Sequence, residues 1–374
     1  MSATSLGEPA ANDRVGDVVS ALADKGVDFV AIAPSDNLSY VLGFSPLPDE
    51  RLCLLLLSER GSVFVVPALN AEQSAGSVTG LELLAWADAE GFDRALAGGL
   101  ARVAPAGARR VAVDPLMRAD HLLALQGCVA GSPEYVSAEV VLGELRKVKS
   151  EHELELLKKS ARTADRAVEA ALRGCRAGIS EADVAALAAA EFRAAGDEVS
   201  FIIVASGPNG ALPHHHTGKR LLQEGDAVVI DLGGRREGYY SDITRMALVG
   251  EPSAEYLEVM AVVESAVQAA MAAVRPGISA GDVDKTARDV IESAGYGEYF
   301  VHRTGHGLGL SVHEPPWIMG GSAEVLRERM VFSIEPGIYL PGRFGVRLEE
   351  IVLVTGSGCE RLSELSRAAY VSSP

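Results

Sequence analysis

Asp226-Ala-Val-Val-Ile-Asp231-Leu-Gly-Gly234 reads as a strand buried on both faces, with the carboxylate of Asp231 at its end. Eleven residues past Asp231, Asp242 opens Ile243-Thr-Arg-Met-Ala-Leu-Val249, a second apolar strand. The segment Gly233 to Gly238 between them reads as a turn, so the strands pair and the two carboxylates can meet. Further on, Glu335 ends Met330-Val-Phe-Ser-Ile334. Glu349 lies between Gly345-Val-Arg-Leu348 and Ile351-Val-Leu-Val354. Each acid therefore sits inside an apolar strand, and burying an unpaired carboxylate costs several kcal/mol. Salt bridges to Arg245, Arg343 or Arg347 would serve one acid, but not four.

Six of the eight histidines (His214, His215, His216, His302, His306 and His313) fall within one hundred residues, leaving only His121 and His152 outside. Four carboxylates and one imidazole have the stoichiometry of a two-metal site, four negative charges against two divalent cations. Carboxylate oxygens with one imidazole suit Mn, Co or Zn better than Mg or Ca. Two such ions, about 3.5–4 Å apart, can share an activated water and clamp the oxygen of a scissile carbonyl. His306 lies in Gly305-His-Gly-Leu-Gly309, whose glycine spacing is not that of a dinucleotide loop. Neither H-E-x-x-H nor G-x-S-x-G occurs, which excludes a mononuclear zincin and disfavours a serine nucleophile of the α/β-hydrolase kind.

The stretches VVIDLGG, YYSDITR, HRTGHGLGLSVHEPP, FSIEPGIY and GVRLEE together resemble the prolidase, aminopeptidase P and methionine aminopeptidase superfamily, the pita-bread metallopeptidases. They span most of residues 200–355. The resemblance implies five metal ligands, Asp231, Asp242, His306, Glu335 and Glu349, with Asp231 and Glu349 bridging two ions. It implies that Glu335 also shuttles a proton. The resemblance further places His214, seventeen residues before Asp231, and His302 and His313, four before and seven after His306, on the substrate side. Arg347 is expected to support Glu349 or a substrate carboxylate. Its i, i+2 spacing puts it on one strand face with Glu349, while Glu350 points away. The triplet His214-His215-His216 departs from the commonest pattern, so a one-residue shift would hand the role to His215. Tyr239 either packs or touches substrate.

What the resemblance implies is a metal-dependent exopeptidase that cuts between an N-terminal residue and proline. Its substrate is an Xaa-Pro dipeptide or a longer peptide with proline second, and the enzyme is a homodimer. Proline has no N–H to recognise, so such a site must grip carbonyl and ring instead. Two rivals stay open: hydrolysis of a non-peptide C–N bond on the same fold, and a metal-free binding protein.

The rest of the 374 residues is consistent with these expectations. Asp and Glu outnumber Lys and Arg by 51 to 34, the wrong sign for a nucleic-acid partner. The longest aliphatic run, Leu52 to Leu57, is far below the ~20 residues of a membrane span. The start MSATSLGEPAANDR has no secretory pattern, and four scattered cysteines suit a reducing cytoplasm. Alternating strands and helices predict an α/β domain over residues 1–145, similar to the creatinase-type N-terminal domain, with a loose arm over its first fifteen or so residues. Ser150 and Glu153 have capping-box spacing and start a long helix, so the second, catalytic domain is expected over 146–374. The fold class is α/β (α+β). Arg176-Ala-Gly-Ile-Ser180 recurs as Arg275-Pro-Gly-Ile-Ser279, Asp183 as Asp282 and Gly196 as Gly295, all 99 residues apart. This predicts a pseudo-two-fold internal repeat with a cleft between its copies.

Overall fold

The computed structural model describes residues 11–74 and 81–372, so most of the expected N-terminal arm lies outside the described residues. The chain forms two compact units that divide between Arg146 and Lys147.

The first unit is a six-stranded mixed sheet with helices. Its strands are β1 (Phe29–Ile32), β2 (Leu54–Ser58), β3 (Gly61–Pro67), β4 (Glu82–Trp86), β5 (Arg110–Val113) and β6 (Glu134–Ser137), in the order β4-β3-β2-β1-β5-β6. The helices are α1 (Ala11–Asp24), α2 (Asp36–Leu42), α3 (Ala68–Ser74), α4 (Asp93–Val103), α5 (Ala119–Cys128) and α6 (Leu142–Lys147). Phe29 to Ile32 and Leu54 to Leu57 are fully buried, which is why these central strands read as unbroken apolar runs.

The second unit begins with the expected capping box. The Ser150 side chain accepts from the Glu153 N–H, the Glu153 carboxylate accepts from the Ser150 N–H, and α7 (Glu151–Gly174) follows. Two α-α-β arrays then carry the repeat. In the first, α7 and α8 (Glu181–Ala194) pack on β7 (Glu198–Ser206), β8 (Ala227–Arg236), the short β9 (Tyr239–Tyr240) and β10 (Ile243–Val249). In the second, α9 (Ala254–Ala273) and α10 (Ala280–Ser293) pack on β11 (Gly305–Gly307), β12 (Glu314–Ile318) and β13 (Val331–Ile334), followed by β14 (Gly337–Leu340), β15 (Phe344–Arg347) and β16 (Glu350–Val354).

The two copies match in detail. Ser180 and Ser279 cap their helices through the Asp183 and Asp282 N–H groups. Gly178 and Gly277 precede the caps, and Gly196 and Gly295 follow the helices, all with positive φ. Each helix is followed by a turn that only glycine makes without strain, so the duplicated loop is a steric requirement. Helix α9 is the one described helix long and apolar enough to cross a membrane by composition. Its Val259, Val263, Ala266, Val267 and Ala270 instead pack in the core.

Two expectations change. Strand β8 does not end at Asp231 but runs on to Arg236, and the turn is only Glu237-Gly238. The strands still pair antiparallel, with Asp231 directly opposite Thr244. Of the four acids, only Asp231 lies within a strand. Asp242, Glu335 and Glu349 occupy breaks before β10, after β13 and before β16. There the backbone is not committed to ladder pairing and can aim a carboxylate.

The chain's end returns to β10. Strand β17 (Cys359–Arg361) pairs with β16, and β18 (Tyr370–Ser372) pairs parallel with β10. Between them the carbonyls of Leu365 and Ser366 accept from the Arg245 guanidinium, and Asp165 of α7 accepts from Ser363 Oγ and the Glu364 N–H.

Candidate metal centre

Period-two alternation aims the first array at the second. On β8, Val228, Ile230 and Leu232 pack under α7 and α8, while Val229 joins the core beneath α9 and α10. Asp231 shares the Val229 face and so points to the cleft between the two copies. Thr244 on β10 shares the face of Met246 and Leu248, which join the same core, and its hydroxyl donates to Glu349 Oε2 at 2.9 Å.

Asp231, Asp242, His306, Glu335 and Glu349 line one cavity of about 820 Å³. One ligand atom each from Asp242, His306 and Glu349 lie within 4.8 Å of one another. His306 Nε2 is 3.3 Å from Glu335 Oε1 and 3.7 Å from Asp242 Oδ2. Its Nδ1 lies 3.0 Å from the Gly307 carbonyl oxygen, which can only accept. Nδ1 therefore carries a proton, and Nε2 is the ring nitrogen turned to the carboxylates.

The carboxylates are badly matched to one another. Burial and then the charges of Glu349, Asp231 and Glu335 push Asp242 well above the usual carboxylate range. Burial, then Glu335 and Asp231, do the same to Glu349. Asp231 is raised mainly by burial, with the Arg347 charge opposing. Burial also works against Glu335, but the hydrogen bond and charge of His306 outweigh it and hold this acid down at about 2. Asp231 Oδ1 and Glu349 Oε1 are buried with no hydrogen-bond partner. Orphaned carboxylate oxygens beside an oriented imidazole are the donor set a divalent cation takes.

The substrate-side residues separate. His214, His302, His313 and Arg347 line the same cavity. His215 does not: its Nε2 is 3.0 Å from Glu181 of α8, a buried acid that also accepts from Ser206 and Asn209. The ring of His313 stands edge-on to His306, with centroids 4.2 Å apart. Lost hydration, then His306 and Arg303, push its imidazole down to about 4. His302 Nε2 meets the Tyr339 hydroxyl at 2.8 Å, and that hydroxyl accepts from Arg347 at 2.7 Å.

Arg347 does not touch Glu349. It ends β15, pairs with Asp231 and donates to Thr244 Oγ1, which in turn serves Glu349. Glu350 does point away, but into the interior, where Arg245, Arg361 and Arg367 surround it. Tyr239 packs: it is buried, and its hydroxyl donates to the capping-box Glu153 at 3.0 Å. Sequence reading passed over Tyr339, Thr244 and Arg303. Tyr339 could have been noticed as the polar aromatic in FSIEPGIY, one strand away from GVRLEE.

Residues 155–356 match metallopeptidase family M24, and residues 14–148 match the creatinase/prolidase N-terminal domain. The chain belongs to metallopeptidase family M24. This M24 peptidase is 43% identical over 354 residues to the probable dipeptidase PepE of Mycobacterium tuberculosis, covering 92% of both chains. It is 34% identical to an Xaa-Pro dipeptidase of Pyrococcus horikoshii, over 95% of this chain and 98% of that one. Among solved structures, recombinant prolidase of Thermococcus sibiricus superposes with a TM-score of 0.91 at 36% identity, over 98% of this chain and 100% of that one. The M24 peptidase thus has the pita-bread catalytic fold and a creatinase-type N-terminal domain, and its family uses divalent metal ions.

Proposed function

We propose that the protein is a two-metal Xaa-Pro dipeptidase, with Asp231, Asp242, His306, Glu335 and Glu349 holding Mn, Co or Zn. The observation that carries the reading is the cluster of Asp231, Asp242, Glu335 and Glu349, two buried and two partly buried, whose mutual repulsion and orphaned oxygens on Asp231 and Glu349 added positive charge would relieve. Two divalent ions balance four carboxylates, and when bound they supply Lewis acidity toward the peptide carbonyl and toward a water.

The chain's own groups do the rest. Glu335, held ionised, is the base that accepts a proton and returns it to the departing proline nitrogen. His313, neutral at physiological pH, donates an N–H where negative charge develops on the carbonyl oxygen. His214 takes the same side of the cavity. His302, fixed by the Tyr339–Arg347 chain, forms the wall that receives the proline ring. Arg347 acts as a support for Asp231. The homodimer and a reducing, cytoplasmic setting belong to the same proposal; Cys53, Cys128, Cys175 and Cys359 are all free thiols.

Metal-loaded protein is to be assayed on Ala-Pro, Ala-Ala and Ala-Pro-Ala, with elemental analysis alongside. A site built around a tertiary amide leaves an ordinary amide N–H unpaired, worth ~1–3 kcal/mol, or roughly 5- to 150-fold in favour of Ala-Pro. Equal rates on Ala-Pro and Ala-Ala refute the proline reading. Absence of metal after loading refutes the two-metal reading. Sedimentation reads out the dimer.

A further inference from the structure

Glu181 opens α8 and is fully buried. Its carboxylate accepts from five donors: the Ser206 N–H at 2.8 Å, Ser206 Oγ at 2.7 Å, Asn209 Nδ2 at 2.9 Å, His215 Nε2 at 3.0 Å and the Gly218 N–H at 3.2 Å. All of them belong to one stretch, residues 206–218, which leaves the end of β7 and carries His214 into the cavity lining. Thr217 adds a further tie. Its hydroxyl accepts from the Val204 N–H at 2.8 Å and donates to the Ile202 carbonyl at 3.1 Å, so the stretch lies along the free edge of β7. Midway, the Pro213 carbonyl accepts from Arg347 at 3.4 Å.

The internal repeat separates what the scaffold needs from what this carboxylate adds. At the equivalent position, 99 residues on, stands Ala280, also fully buried. Both residues follow a serine cap, and both donate a backbone N–H to a carbonyl alongside: Glu181 to Arg220 at 3.0 Å, Ala280 to Glu324 at 2.8 Å. The second copy makes that contact with a methyl side chain. A carboxylate in the same place costs several kcal/mol to bury unless donors meet it. Burial works against Glu181, but the bonds from Asn209, Ser206 and His215 outweigh it and hold the acid below its usual range. The carboxylate therefore serves the stretch 206–218 and not the packing of α8.

We propose that Glu181 is a positioning residue: from outside the cavity lining, and acting through His215, it fixes the stretch 206–218 so that His214 meets the substrate. The proposal rests on the peptidase reading above, in which His214 works on the substrate side. The His214 ring has no hydrogen-bond partner of its own among the described residues, so its place in the cavity depends on its backbone. That backbone is held by the neighbouring ring of His215 and by the turn bond from the His215 N–H to the Leu212 carbonyl at 3.1 Å. Two members of the histidine triplet thus divide the work, one facing the cavity and one the anchor.

The test is a double-mutant cycle in metal-loaded protein with Ala-Pro as substrate. Glu181→Gln and His215→Leu are measured alone and combined with His214→Ala, with metal content alongside. Each should lower kcat/KM by up to about 100-fold, chiefly through kcat, with metal content unchanged. His215→Gln, which keeps a donor for the carboxylate, should retain most of the activity. In the His214→Ala background the same changes should cost almost nothing further, because the histidine they position is gone. A merely structural acid predicts losses that multiply in the double variants, and that result overturns the proposal. So do single variants as active as wild type, or a His214→Ala that is. If Glu181→Gln fails to fold, the His215 arm decides alone, since it leaves the donors at Ser206, Asn209 and Gly218 in place. Failure of the peptidase reading looks different: metal-loaded wild type would hydrolyse no dipeptide, and the proposal falls with it. Failure of the proline preference alone would show as equal rates on Ala-Pro and Ala-Ala with the cycle intact.

Discussion

Glu349 and Glu350 are chain neighbours, both buried, and their surroundings are opposites. Each leaves one buried oxygen without a hydrogen bond, but Glu350 Oε1 accepts from Arg245, Arg361 and Arg367, and Arg367 is paired in turn with Glu264. Glu349 has Thr244 on one oxygen, nothing on the other, and Asp231, Asp242 and Glu335 as charged neighbours. One cluster neutralises itself with its own cations. The other is assembled against its own stability, since like charges in a low dielectric repel strongly. Such an arrangement is relieved when charge arrives from outside, so the repelling cluster fits the proposed metal centre and the charge-balanced one fits the scaffold.

Substitutions should separate the two. Asp242→Ala should reduce turnover by more than the ~10- to 100-fold that loss of an outer-shell partner costs. The metal-free variant should melt no lower than metal-free wild type, because a repelling charge has gone. Near-normal turnover would remove Asp242 from the ligand set. Arg245→Met should do the reverse, destabilising the protein toward the lower end of ~3–5 kcal/mol, since Arg361 and Arg367 still attend Glu350. Denaturant titration of metal-free protein reads this out; an unchanged midpoint would deny the scaffold role.

Metal and pH sharpen the contrast next. A cation at 100 times its dissociation constant should add about 2.7 kcal/mol to wild type. Without metal, the folded pKa values of Asp242 and Glu349 lie above their unfolded values. At these two acids the folded state then binds more protons than the unfolded one and stability falls as pH rises from about 5 to 7, whereas His302 and His313, held below the free imidazole value, push the other way. Glu335 is ionised in both states over that window and contributes nothing to the slope. Urea midpoints of chelated wild type and Asp242→Ala at the two pH values decide it: the variant should lose less, or gain more, on the rise to pH 7, and equal changes would contradict the repulsion argument.

The smallest effects belong to residues outside both clusters. Tyr239→Phe removes the hydroxyl bond to Glu153, about 1 kcal/mol, and should leave kcat within error. His216→Ala should be mild in every assay. A large loss in either would mean that the cavity reaches further than its lining.

Most of this division was readable in the sequence. Acids in apolar surroundings betray themselves by composition, and the strands that carry or adjoin Asp231, Asp242, Glu335 and Glu349 are visible as apolar runs. The repeat was readable because a positive-φ glycine and a serine cap are local demands. Partner choice was not readable. Whether Arg347 meets Glu349 or Asp231 depends on the break at Leu348-Glu349, which a period-two argument carries straight through. That His215 turns to Glu181 depends on a fold contact across 34 residues. Arg303 looked like one charge in a glycine-rich run until the pairing of β11 with β12 set Trp317 beneath it.

The return of the chain to β10 gives the last dozen residues a task out of proportion to their size. Leu365 and Ser366 occupy donors of Arg245, whose Nη1 also donates to the carbonyl of Glu349 itself. Loss of the contacts at Leu365 and Ser366 would thus loosen the backbone at Glu349 through Arg245, without touching the cavity.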